Sequence, residues 1–161
     1  WHFLEDSGKL RDGRKPPKGW LKHTGPCKMC KSGLHASRKV TDALKYAPGN
    51  IVCRVECRDI VEEQDDKLLC RERRILWKMD ATPILRAFAR KCALDVIHLW
   101  DAPEVVVKYL KTGDESLRVS AARAAAAAGE AAREAAREAA WEAAWTKYER
   151  RLVSMLNRAK P

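Results

Sequence analysis

The stretch Ile51-Val52-Cys53-Arg54-Val55-Glu56-Cys57 alternates apolar and charged side chains. Ile51, Cys53, Val55 and Cys57 fall on one face and Arg54 and Glu56 on the other, which is the period-two pattern of a half-buried strand. Ile60–Glu62 extends it after a turn, and Arg73–Met79 reads as a further strand. Working back towards the start, Trp1-His2-Phe3-Leu4 reads as a short strand, Asp12-Gly13 as a turn and Trp20–His23 as a second short strand. Lys15-Pro16-Pro17-Lys18-Gly19 is not helical, because each proline lacks an amide donor and restrains its predecessor. Between these strands, Val40, Ala43, Leu44 and Ala47 follow helical spacing within Ser37–Ala47, and Pro48-Gly49 stops that helix.

After the strands the period changes. Thr82 is placed to cap a helix with Pro83 in its first turn. Ile84, Leu85, Phe88, Ala89, Cys92, Ala93, Val96 and Ile97 then form a broad apolar stripe. Asp101-Ala102-Pro103 restarts a helix bearing Val106, Val107, Tyr109 and Leu110, which Gly113 ends, and Asp114 or Ser116 caps the next. The expected fold class is therefore α+β. A small mixed domain spans residues 1–80, a helical segment 81–113, and one long alanine-rich helix 114–161.

That last helix is compositionally unusual. From Ala121 to Ala144 there are 15 alanines in 24 residues, and Glu130, Glu134, Glu138 and Glu142 recur every four. Arg133, Arg137, Trp141 and Trp145 recur in the same way, three residues after each Glu, so that Glu130–Arg133 and Glu134–Arg137 are helical ion pairs. Alanine is the best helix former, and a period of four overshoots 3.6, so the stripes drift and no heptad coiled coil results. Arg133, Arg137, Trp141 and Trp145 are read as partner-binding residues, because aromatic and arginine anchors dominate interface energetics. The same helix is the expected route to a homo-oligomer.

Charge and composition narrow the function classes. The net charge is +10, and residues 1–50 carry eleven Lys and Arg against four Asp and Glu. This basic first third, centred on residues 9–31, is expected to bind polyanions or nucleic acid weakly through phosphate contacts. No run of 18 apolar residues is present, so no membrane span is expected. No secretory leader opens the chain, and the six cysteines read as reduced thiols of a cytoplasmic protein.

No structural metal is expected either. Cys53 and Cys57 on one strand lie about 13 Å apart, too far to share a zinc ion. Cys27, Cys30 and His35 lack an evident fourth ligand. No phosphate loop, nucleophile elbow or zinc-protease motif occurs, and His98 reads as a structural histidine beside Leu99 and Trp100.

Two resemblances add to this reading. Ser32-Gly33-Leu34-His35-Ala36-Ser37, followed by Asp42–Ala47, Ile51–Glu56 and Asp65-Asp66-Lys67, resembles an uncharacterised domain of tailed phages and prophages. Its features are a Gly-Leu/Phe-His motif, a short helix, a strand and an Asp-Asp-Lys segment. Cys92–Pro103, Tyr109–Ser116 and the Ala/Trp/Arg repeats look like the tails of similar phage proteins. This resemblance implies a phage or prophage accessory protein of the bacterial cytoplasm, engaging a host or defence macromolecule.

More distantly, Trp1-His2-Phe3, Leu34–Ser37 and Ala43–Ala47 resemble the opening of small ADP-ribosyltransferase-like domains. No cofactor is expected unless the chain is an enzyme of this kind, in which case the likeness implies NAD, with His2, His35 and Tyr46 as ligand-binding residues. Glu56 or Glu62, with Glu63 in the same run, would then supply the catalytic carboxylate. No late Glu-x-Glu motif accompanies it, so enzymatic activity is left open. Glu56 is on the charged face of its strand and Glu62 sits in an acidic run. A ligand or partner pocket around His35 is therefore expected in preference to a transferase centre.

Overall fold

A computed structural model describes residues 1–130, 134 and 142–161. It divides into two units, Trp1–Pro83 with Leu152–Pro161, and Ile84–Arg151. The α+β reading holds, and the expected boundary at residue 80 lies close to Pro83.

The first unit is organised by one long antiparallel hairpin. Strand β4 (Ile51–Glu63) pairs with β5 (Leu68–Asp80), each of 13 residues. β1 (His2–Leu4) lies against β4, whereas β2 (Leu21–Lys22) and β3 (Leu34–Ala36) share the far edge of β5. The strand β3 falls where the resemblance through Leu34–Ser37 implies one, although three residues are too few to display a period. Helix α1 (Val40–Lys45) follows it, shorter than the expected Ser37–Ala47.

The alternating face of β4 points inward. Cys53 clusters with Leu4 and Leu10, with Leu21, Ile51, Val55 and Ile75 packed against them. Further along, Ala36, Leu68 and Cys70 form a second cluster with Leu34, Val55 and Cys57. Two bulges interrupt the register, between Arg54 and Val55 and between Ile60 and Glu62. They leave Leu76 and Val61 without a cross-strand partner, and both side chains are exposed.

In the second unit, described by itself, α3 (Glu104–Thr112) ends on Gly113 at φ 69°, and Asp114 caps the short turn that follows. α2 (Thr82–Asp95) starts differently from the expectation. Thr82 is the first residue of the helix and not its cap, and its amide donates to the Asp80 carboxylate at 2.8 Å. Asp95 takes ion pairs from Arg151 (2.8 Å) and Lys147 (3.0 Å), and Phe88 meets Tyr148 edge to face.

The single helix expected over 114–161 is corrected. α4 (Arg118–Ala127) stops before Gly129, whose φ is +62°, and α5 covers Glu142–Ala159. A left-handed glycine just past a helix end is a stop signal that outweighs alanine propensity. No helix among the described residues is long and apolar enough to cross a membrane.

Gly33 joins β3 to the preceding turn at φ 109°, and a Cβ there would overlap the side chain of the fully buried Leu69. Gly33→Ala is therefore expected to destabilise the first unit by about 1–3 kcal/mol, read as a lower urea midpoint with unchanged slope.

Candidate functional site

The first unit encloses a cavity of about 360 Å³, within the range of small-molecule sites. The strand pairing builds it. His2 lies opposite Cys53, and Arg73 lies opposite both Cys57 on β4 and Leu21 on β2, so both polar side chains are carried on the apolar face. The turn around Cys30 and Gly33, the C-terminal end of α1 at Tyr46 and the hairpin residue Lys67 close the remaining sides.

Arg73 dominates the electrostatics. It is only 6% exposed and forms no salt bridge with a carboxylate. One guanidinium nitrogen, Nη1, donates to the His35 carbonyl; Nε and Nη2 make no hydrogen bond. No buried side-chain nitrogen or oxygen among the described residues lacks a partner, and Arg73 is one of the residues that line the cavity.

The only groups of opposite potential charge beside Arg73 are thiols. Burial pushes Cys53 up to about 11, and the adjacent Cys57 and burial both raise Cys70. Cys70 and then Arg73 bring Cys57 down to about 7. Burial holds Arg73 below the ordinary arginine range, yet a guanidinium stays protonated at neutral pH.

Two more cations line the cavity without salt bridges. Arg11 donates to the Tyr46 carbonyl at 3.1 Å, and the Lys67 ammonium lies 3.0 Å from the Cys30 sulfur and 3.5 Å from the Tyr46 hydroxyl. Asp12, the one lining carboxylate, is spent on Arg14 through contacts of 2.6 and 2.9 Å.

His2, His35 and Tyr46, expected to bind ligand, all line this one cavity. Their polar atoms differ in availability. His35 Nε2 accepts the Cys30 amide at 3.1 Å, so this ring braces the turn. The Tyr46 hydroxyl donates to Asp66 at 2.5 Å, which raises the phenol above its ordinary range. The His2 ring makes no hydrogen bond; burial, followed by Arg73, holds it well below 6.5, so it is neutral and open to the cavity.

The expected catalytic carboxylates are elsewhere. Glu56 is held by Arg74 at 2.6 Å and by Arg58 at 3.4 Å, beside Trp20, over which both guanidinium groups stack. Glu62 accepts from Gln64 at 2.9 Å, and Glu63 is paired with Arg38. None of the three lines the cavity, because the strand period carries Glu56 to the opposite face and the others sit at the hairpin end.

Of the expected partner-binding residues, Arg133, Arg137 and Trp141 lie outside the described residues, and Trp145 is half-buried in α5. No group of three or more His, Cys, Asp or Glu among the described residues is arranged to hold a metal ion.

Sequence reading missed Arg73 and Lys67 as site residues, whereas Arg11 was read within the basic stretch 9–31 and Cys30 beside His35. The available signal for Arg73 was its phase, two residues before the inward Ile75 on one strand.

Fold and site together describe an α+β domain built around an electropositive cavity. Residues 11–87 match the model of a family described as a domain of unknown function, DUF7666. The matched stretch carries β2 to β5 and every lining cation. No curated protein and no solved structure matches the chain.

The histidines give the site a pH signature. Burial, then Arg73, lowers both His2 and His35 from 6.5. The unfolded chain therefore binds more protons than the folded one below that value. Stability from these rings is complete above 6.5 and falls as pH drops through 6.5 and lower. Thermal midpoints measured between about pH 7.5 and 5 are expected to decline over that window, and His35→Gln is expected to flatten the decline.

Proposed function

We propose that the first unit is a binding module for a small phosphate-bearing anion of nucleotide size. The observation that carries this reading is Arg73, a buried guanidinium that lines the cavity, bonded to the His35 carbonyl and without a carboxylate partner. Arg11 and Lys67 add two further charges around the same space. Both act on His35, and Arg11 also acts on His2, which places the cations and the two neutral rings within one electrostatic neighbourhood. A phosphate monoester, with roughly −1.5 to −2 charges, suits this excess better than a single carboxylate. Charge-assisted bonds from arginine to phosphate are the strong kind.

Binding is favoured over ADP-ribosyl transfer. The chemistry would need an ionised carboxylate against the ribose, and the one lining acid, Asp12, is held by Arg14. NAD is retained as a candidate ligand because it bears phosphates. A phage or prophage accessory role is the setting we propose for such a module, with the basic residues 9–31 supplying weak attraction for polyanions.

Calorimetric titration with inorganic phosphate, AMP, NAD and citrate tests the reading. Phosphate-bearing ligands are expected to bind more tightly than citrate. Arg73→Met, which replaces a buried charge by a chain of similar volume, and the exposed variant Arg11→Gln are each expected to weaken binding at least tenfold, about 1.4 kcal/mol. Absence of binding by every phosphate-bearing ligand, or equal binding by folded variants, overturns it.

A further inference from the structure

The face of the hairpin turned away from the cavity carries arginines laid over tryptophans. The strand period puts Arg54, Glu56 and Arg58 of β4 on this face, opposite Trp77, Arg74 and Glu72 of β5. Lys22 of β2 pairs with Glu72 and extends the same face, and Trp20 leads into that strand. The guanidinium carbons of Arg58 and Arg74 lie 4.2 and 5.0 Å from the centre of a Trp20 ring. That of Arg54 lies 4.8 Å from the centre of a Trp1 ring, and Trp1 meets Trp77 edge to face.

These cations stay at the surface. The side chains of Arg58 and Arg74 are 57% and 42% exposed, and Arg54 is exposed as well. Lys22, Arg54, Arg58 and Arg74 outnumber the facing carboxylates Glu56 and Glu72, and the exposed Lys15 and Lys18 stand in the segment before Trp20. Glu56 accepts from Arg74 at 2.6 Å and lies 3.4 Å from Arg58, while Glu72 meets Lys22 at 2.9 Å. The carboxylates thus hold cations in place and leave the face net positive. A guanidinium is planar, so it gives a nucleobase a surface to stack on and a phosphate several N–H donors. An acidic peptide matches the charge but brings no regular series of planar rings. A duplex keeps the faces of its bases within its own stack. A single strand brings both charge and free base faces.

We propose that this arginine–tryptophan face of the hairpin binds single-stranded nucleic acid without base preference, bases stacking against its aromatic and guanidinium groups and phosphates meeting its cations. Arg54 and Arg58, four residues apart on one strand, are separated by about 13 Å, so the face engages several nucleotides of a strand at once. A single nucleotide makes too few of these contacts to be held here. Lys15, Lys18 and Lys22 give the basic first third of the chain its place in this surface, on either side of Trp20. The surface is separate from the cavity, since the strand period sends Arg54, Glu56 and Arg58 to one face and Cys53, Val55 and Cys57 to the other.

The test is fluorescence anisotropy of the full chain with labelled oligo(dT) and oligo(dA), with duplex DNA and polyglutamate as competitors, at low and physiological salt. Both single strands are expected to bind saturably, about tenfold more tightly than the duplex or polyglutamate, and to weaken as salt rises. The double variant Arg58→Lys, Arg74→Lys keeps the charge and removes the planar groups. It is expected to lose about tenfold in affinity for the single strands and little for polyglutamate, with circular dichroism confirming that it folds. Arg54→Gln, at an exposed position, is expected to weaken single-strand binding as well. Absence of saturable binding overturns the inference, as does equal or tighter binding of duplex or polyglutamate. So does a folded lysine variant that binds oligo(dT) as tightly as the parent. These outcomes leave the cavity reading where its own titration with AMP puts it.

Discussion

The guanidinium of Arg73 is the constraint around which the first unit is arranged. It stands on the inward face of β5, opposite Cys57 and beside Leu21, next to the apolar and thiol side chains of the two core clusters. Removing a cation from water costs several kcal/mol even after relaxation, and arginine does not escape by losing its proton. The fold returns one hydrogen bond, to the His35 carbonyl, and the nearby thiols Cys53, Cys57 and Cys70. No carboxylate completes the arrangement. A buried charge left open on one side, facing a cavity, is a structure suited to an anion that arrives from outside.

The surrounding residues keep that opening free instead of neutralising it. Asp12 is turned to Arg14, Asp66 to the Tyr46 hydroxyl, and Glu56 and Glu63 to arginines outside the cavity. The histidines are held neutral by burial and by the cations, so they add no charge of their own. His35 does more than line the wall. Its carbonyl receives Arg73 and its ring receives the Cys30 amide, so one residue links the deepest cation to the turn at the mouth. Gly33 makes this possible, since its left-handed φ and missing Cβ let the turn close against Leu69.

The strand β4 and its inward face were legible from Ile51–Cys57, because a period of two survives in any strand with one buried side. Its pairing with β5 was not, and the short strand β3 was reached only through resemblance, since pairing with β5 and not local pattern defines it. The helix ends at Gly113 and Gly129 follow from one property of glycine. The first was read as a helix end, and the second as one of the ways, a fold-back, in which the alanine-rich stretch could be accommodated. At the site, His2, His35 and Tyr46 were legible from the order of strand, motif and helix. Arg73 and Lys67 were not, since the folding of the hairpin against β2, β3 and the turn at Cys30 brings them beside residues 21 to 38 positions earlier. The carboxylates Glu56 and Glu62 were drawn from resemblance, and the strand period and hairpin end place them away from the cavity.

The most direct measurement of the central claim is nuclear magnetic resonance of the arginine Nε–H groups during titration with AMP. An anion held by the open edge of Arg73 is expected to shift its Nε–H resonance saturably and to slow its exchange with water, while Arg58 and Arg74, stacked on Trp20, stay unmoved. A saturable AMP interaction that leaves the Arg73 resonance in place, or no saturable interaction at all, would contradict the account.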